Sequence, residues 1–145
     1  MGGEDRYDLN RFVAAQDADG TYKEALGELR CGQKTSHWMW IVFPQIAGLG
    51  YSAISRRFAI RSLDEATAYL QHPVLGPRLI ECSKTVAESK EESAERIFGV
   101  VDAQQLQSSM TLFMRADLDE PIFGRVLAHY FDGQPNSVTD SLLGV

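Results

Sequence analysis

Between His37 and Gly50 the chain reads HWMWIVFPQIAGLG. Trp38 to Phe43 is apolar on every side, so it cannot lie half-exposed as an amphipathic helix or an alternating strand does. Other elements therefore have to surround it. Pro44 lacks an amide donor and ends any helix that reaches it, and Gly48 and Gly50 mark a loop behind it. A run this short fits a buried strand as well as a buried helix, so the rest of the chain decides between them.

The rest reads as helices. Asp8 precedes Leu9, Phe12, Val13 and Gln16, which share one helical face, and Asp19-Gly20 closes that unit. Thr21-Tyr-Lys-Glu24 has the form of a capping box, and Tyr22, Ala25, Leu26 and Leu29 form the stripe behind it, up to Gly32. Ser62-Leu-Asp-Glu65 is a second box, opening a helix to about Leu70. Pro77 suits the first turn of the next helix, which turns Ile80, Ser83 and Ala87 to one side. The charged run from Ser89 to Arg96 reads as an exposed helix end or loop. Asp102-Ala-Gln-Gln105 starts another helix with Leu106, Met110 and Phe113 inward, and Pro121 opens a last one through Phe123, Val126, Leu127 and Tyr130. Alternating patterns are nearly absent. The expected fold is all-α: a single multihelical bundle over residues 8–145, with a buried central helix at 38–43 capped by Thr35 or Ser36. A flexible N-terminal segment, residues 1–7, precedes it.

At 145 residues the chain has the size of one domain. Its apolar share of 44% and charged share of 23% suffice for a core without metal or disulfide support. A formal net charge of −6 repels phosphate backbones, so nucleic acid is not expected as a partner. No segment approaches the ~20 apolar residues of a membrane helix, and no membrane association is expected. The acidic start MGGEDRYD has no hydrophobic signal core. Cys31 and Cys82 stand apart, without C-x-x-C spacing or a neighbouring histidine. The expectation is a cytoplasmic protein with no metal and no cofactor.

Candidate site residues cluster at the two ends of the apolar run and on one later helix. Trp38 and Trp40 read first as core; beside His37 they also offer a flat wall for a base or sugar. His37 and Gln45 enter and leave the buried element and need partners if buried. Gly48-Leu-Gly-Tyr-Ser52 leads into a helix with Arg56, Arg57 and Arg61 near its surface; glycines at a helix start free amides toward an anion, which the helix dipole and these guanidiniums would favour. The segment has no Walker lysine and no G-x-G-x-x-G, so a plain turn capped by Ser52 is the competing reading. On the helix after Gln105, Ser108, Thr111 and Arg115 share the face opposite Leu106 and Phe113, an ordinary solvated face unless it lines a cleft. The set is thus His37, Trp38, Trp40, Gln45, Gly48, Gly50, Ser52, Arg57, Ser108 and Thr111, with no nucleophile–base pair visible in the spacing.

RFVAAQ at 11–16, HWMWIVFPQ with GLG, AYLQHPVLGPRL at 68–79, IFG at 97–99 followed by Asp102, and SSMTLF at 108–113 occur in that order. Together they resemble the family catalogued as domain of unknown function 1810, over about residues 9–143; many bacterial members carry the automatic label calpastatin. The resemblance implies a single multihelical bundle and brings no catalytic residues. The label conflicts with composition: calpastatin's inhibitory segments are repetitive and disordered, whereas this chain has capped helices, a core and no repeats. It does not read as a protease inhibitor. HPVLGPRL followed by IFG also resembles, more faintly, helical domains linked to ADP-ribose chemistry, with Gly99-Val-Val-Asp102 standing where those have a glycine-rich run. Two functions remain: a site that binds, or hydrolyses, an anionic or nucleotide-like small molecule, with His37 as the group able to move protons near neutral pH; or a non-enzymatic protein–protein interaction module.

Overall fold

The computed structural model describes residues 5–145; residues 1–4 of the expected N-terminal segment 1–7 lie outside the described residues. The chain is all-α. Its helices are α1 (Asn10–Asp17), α2 (Thr21–Cys31), α3 (Met39–Val42), α4 (Ala53–Arg57), α5 (Leu63–Gln71), α6 (Leu75–Ala87), α7 (Ala94–Phe98), α8 (Val100–Ala116), α9 (Ile122–Phe131) and α10 (Ser137–Leu143). Among the described residues, the β-type pairing is one isolated parallel bridge between Ile46 and Ile60. No helix among them is long and apolar enough to cross a membrane.

The apolar run folds as the short buried helix α3, with Trp38, Met39, Ile41, Val42 and Phe43 all in the core. A single turn leaves carbonyls that it cannot pair itself. Two buried glutamines from other helices pair them. Gln16 Nε2 donates to the Ile41 carbonyl at 2.7 Å, and Gln105 Nε2 donates to the carbonyls of Met39 at 3.3 Å and Phe43 at 3.0 Å. At its entrance, no hydroxyl caps α3, contrary to the expectation for Thr35 or Ser36. Glu28 of α2 takes that part instead: its carboxylate accepts from the amides of Thr35 (2.8 Å) and Ser36 (3.0 Å), the Ser36 hydroxyl (2.6 Å) and the Trp38 indole N–H (2.9 Å).

The long helix α8 packs against α5, α7, α9 and α10. Ser108 and Thr111 therefore do not lie on a solvated face; both are buried, and each hydroxyl donates to the carbonyl four residues back. What covers Thr111 is α10, tied down by the Asn136 amide donating to Thr111 Oγ1 at 2.8 Å and by a two-point Arg115–Asp140 ion pair at 3.0 and 2.9 Å.

Local signals were honoured unevenly. Ser62 caps α5 through the Glu65 amide at 3.0 Å, but the Glu65 carboxylate turns to the Arg61 amide and to Arg11. Thr21 forms no capping box. Asp19 and Gly20 are left-handed, so the chain turns straight from α1 into α2, and the Thr21 hydroxyl donates back to the Ala18 carbonyl. Asp8, also left-handed, does not cap α1; Asp5 does, accepting from the amides of Leu9 at 2.7 Å and Asn10 at 2.8 Å. In HPVLGP, His72 Nδ1 accepts from the amides of Val74 and Leu75, which starts α6, and Gly76 lets α6 close on the end of α5.

A Cβ at position 76 would lie 2.1 Å from the Leu70 carbonyl oxygen, whereas one at Gly124, inside α9, would meet only Met114 Sδ at 3.8 Å. Gly76→Ala should lower unfolding free energy by about 3 kcal/mol through overpacking. Gly124→Ala should leave it unchanged or raise it by about 0.5 kcal/mol; chemical denaturation measures both. Glu28 gives a pH prediction. Burial alone would raise its carboxyl, but the four hydrogen bonds outweigh burial and bring it down to about 2. Its contribution is complete above the unfolded value of about 4.3 and is lost as pH falls through the folded one. Melting temperature should fall steeply between those values, and Glu28→Gln should lower it at pH 7 while flattening that slope.

Candidate functional site

A cleft of about 550 Å³ opens beside α3. Its apolar lining is Trp40, Leu49, Val101 and Val138; its polar lining is the amides of Gln45, Gln104, Gln105, Gln107 and Asn136 with the hydroxyl residues Ser55 and Ser108. No charged side chain lines it.

Each wall has a local cause. The loop after α3 is clamped by the Ile46–Ile60 bridge, where the Ala47 amide donates to the Ile60 carbonyl at 2.7 Å and the Ile60 amide donates to the Gln45 carbonyl at 2.9 Å. Gly50 brings this loop against α4: a Cβ there would lie 2.5 Å from Ser55 Cβ. Gly48, at φ +106°, makes the turn and sits beside Leu142 of α10. Gln104, Gln105 and Ser108 project from neighbouring positions of α8. Gln105 is only 7% exposed, and its amide nitrogen is held by the two α3 carbonyls. Its Oε1 accepts no hydrogen bond from the described residues and is not sealed from solvent.

A second chamber of about 210 Å³ shares Gln45, Gly50 and Ser55 with the first and adds Arg56, Arg61 and Gly48. Among the described residues, neither Arg56 nor Arg61 makes an ion pair. A neutral, amide-rich chamber with one indole therefore adjoins a small cationic one.

Of the residues expected from sequence, Trp40, Gln45, Gly50 and Ser108 meet in the first chamber, and Gly48 joins Gln45 and Gly50 in the second. His37 is exposed and lines neither. Trp38 is a core residue, 1% exposed, its indole engaged by Glu28. Ser52 caps α4 through the Ser55 amide at 3.1 Å, and α4 has five residues, too short to build an anion site at its start. Thr111 is sealed under α10. Arg57 faces a different basin, with Arg6 and Arg11. Sequence reasoning missed Ser55, Gln104 and Gln105, and it named Arg56 and Arg61 as surface guanidiniums without placing them in the candidate set. The adjacent Gln104-Gln105 pair in the second turn of α8 was the available signal.

The chemistry of these walls is recognition. The first chamber holds no histidine, carboxylate or thiol, and Ser108 donates to the Gln104 carbonyl rather than to a base. Elsewhere, a cleft of about 580 Å³ beside Cys31 has Arg30, Lys90, Glu88 and Glu91 in its walls and no aromatic surface. Burial pushes the Cys82 thiol up to about 12, which leaves it unreactive. Among the described residues no cluster of three His, Cys, Asp or Glu side chains is placed to hold a metal ion.

This all-helical bundle with a neutral cleft belongs to a class defined so far by its fold. Residues 6–143 match the family described as Protein of unknown function (DUF1810), and the chain belongs to that family. It is similar to a conserved hypothetical protein from Mycobacterium tuberculosis, Rv1873, whose crystal structure has a TM-score of 0.93 and 49% sequence identity over 97% of this chain and 99% of that one. No curated protein matches the chain.

Proposed function

We propose that this protein binds a nucleotide-like small molecule across the two joined chambers. The base stacks on Trp40 and meets the carboxamides; the anionic group lies beyond Gln45, between Arg56 and Arg61. The observation that carries this reading is the shared wall: Gln45, Gly50 and Ser55 line both an uncharged aromatic and amide chamber and a cationic one. Carboxamides present donor and acceptor together and match the edges of bases, and an indole takes any base face. The unpaired Gln105 oxygen supports an amino-bearing ligand. Binding is favoured over hydrolysis, because no titratable side chain lines the neutral chamber. The two free thiols, Cys31 and Cys82, support a reducing, cytosolic setting.

A second reading rests on the cleft's surroundings. Val101 and Val138 of its wall are exposed, as are Tyr51 and Ile54 beside it on the chain. An apolar rim of this kind also suits an interaction module that meets a protein partner.

Isothermal titration with adenosine and adenosine 5′-monophosphate separates the readings. The nucleotide is expected to bind, and Trp40→Ala should weaken it roughly tenfold or more, since stacking on an aromatic is worth about 1–3 kcal/mol per base. Absence of binding by either compound would favour the interaction module.

A further inference from the structure

Arg61 has two sides. It lines the small cationic chamber and also a basin of about 530 Å³ on the N-terminal side of α5. That basin contains Arg6, Arg11 and Arg57, with Asp8 and Glu65 as its carboxylates.

The charges are not equivalent. Arg11 is fully committed: Nε donates to the Arg57 carbonyl, Nη1 to the carbonyls of Tyr7 and Asp8, and Nη2 to the Ala59 carbonyl and Glu65. Glu65, 2% exposed, is equally committed, to Arg11 at 2.9 Å and to the Arg61 amide at 3.0 Å. This buried pair builds a rigid floor and has nothing left for a ligand. It also fixes the backbone at Tyr7, Asp8, Arg57 and Ala59, and so places the neighbouring guanidiniums. Arg6, Arg57 and Arg61 remain. Among the described residues none of the three makes an ion pair or a side-chain hydrogen bond, and Asp8 is the one carboxylate left against them. Arg6 and Arg57 rest over the Tyr7 and Phe58 rings, which leaves their N–H groups free, and on a chain of net charge −6 this concentration of arginine without an ion pair is local and one-sided. Guanidinium forks match phosphate oxygens in geometry as well as charge.

Resting on the nucleotide reading above, we infer that the ligand is a nucleoside polyphosphate, at least a 5′-diphosphate, whose phosphate chain runs past Arg61. The first phosphate lies in the 210 Å³ chamber between Arg56 and Arg61. The next lies in the basin, held by Arg57 and Arg6. Adenine is the base whose amino and ring-nitrogen edge a carboxamide pairs with two-point geometry. A small molecule suits these local basins better than a continuous strand, whose phosphates the net charge of −6 repels.

The test is calorimetric titration of the full chain with adenosine 5′-monophosphate, adenosine 5′-diphosphate, inorganic pyrophosphate and a short oligo(dA) at fixed ionic strength. Each is compared on wild type and on the double variant Arg6→Gln/Arg57→Gln, whose folding is checked by circular dichroism. The diphosphate is expected to bind at least tenfold more tightly than the monophosphate. The double variant should erase that advantage while leaving monophosphate affinity within about twofold. Equal wild-type affinities for the two nucleotides, or equal losses for both in the double variant, overturn the inference and leave the nucleotide reading standing. Tight pyrophosphate binding with no response to either nucleotide overturns the nucleotide reading and with it the polyphosphate assignment. Oligo(dA) binding tenfold tighter than the diphosphate replaces the small ligand with a nucleic-acid strand.

Discussion

Two buried glutamines hold the backbone of a one-turn helix that pairs only the Met39 carbonyl within its own turn, through the Phe43 amide. Residues 38–43 are too apolar to leave the interior, yet Pro44 stops the helix after a single turn. Each buried carbonyl left unpaired would cost about 1–3 kcal/mol. Gln16 reaches Ile41 from α1, and Gln105 reaches Met39 and Phe43 from α8. Through these bonds the central segment is locked to helices on either side of it, and the position of everything that follows, from Gln45 to Ser55, is set by where α3 ends.

The same bonds shape the cleft. A glutamine whose nitrogen is engaged by two carbonyls presents its oxygen in a fixed direction, and the Gln105 side chain lines the chamber. The chamber's other walls are fastened independently: the loop by the Ile46–Ile60 bridge and the close approach at Gly50, α10 by Asn136 and the Arg115–Asp140 pair. These fastenings join segments that are neighbours only in space, so the cleft is a property of the finished bundle and not of any one motif. Pre-formed walls of this kind lower the ordering cost of binding a small ligand.

Much of the fold was legible because helix signals are local. The apolar run with Pro44 behind it, the Ser62 cap, the stripes of α2 and α9 and Pro77 in the first turn of α6 all act within a few residues of themselves. Where left-handed residues intervened, as at Asp8, Asp19 and Gly20, the apparent caps Asp8 and Thr21 gave way to tighter turns. The cleft was legible only in part, for the same reason in reverse. Trp40, Gln45, Gly50 and Ser108 come together as polar or flat residues flanking the core, but His37 turns outward, Trp38 is claimed by Glu28, and Arg57 turns to the basin that Arg11 organises. Glu28 reaches Trp38 across ten positions, and Gln105 reaches Met39 across sixty-six; no spacing rule encodes such pairs. The role of Arg56 depends on which way a short helix, α4, is rotated against its loop, and that of Arg61 on the Ile46–Ile60 bridge beside it.

Two tryptophans sit two residues apart, one sealed and one lining the cleft, which makes the indole N–H signals a direct reporter. In ¹H–¹⁵N spectra of the protein titrated with adenosine 5′-diphosphate, the Trp40 indole and the Gln105 side-chain amide should shift with one common saturation curve while the Trp38 indole stays in place. Saturable shifts confined to residues around Cys31, or a Trp38 indole that moves while Trp40 does not, would contradict a ligand site built beside the glutamine-held turn.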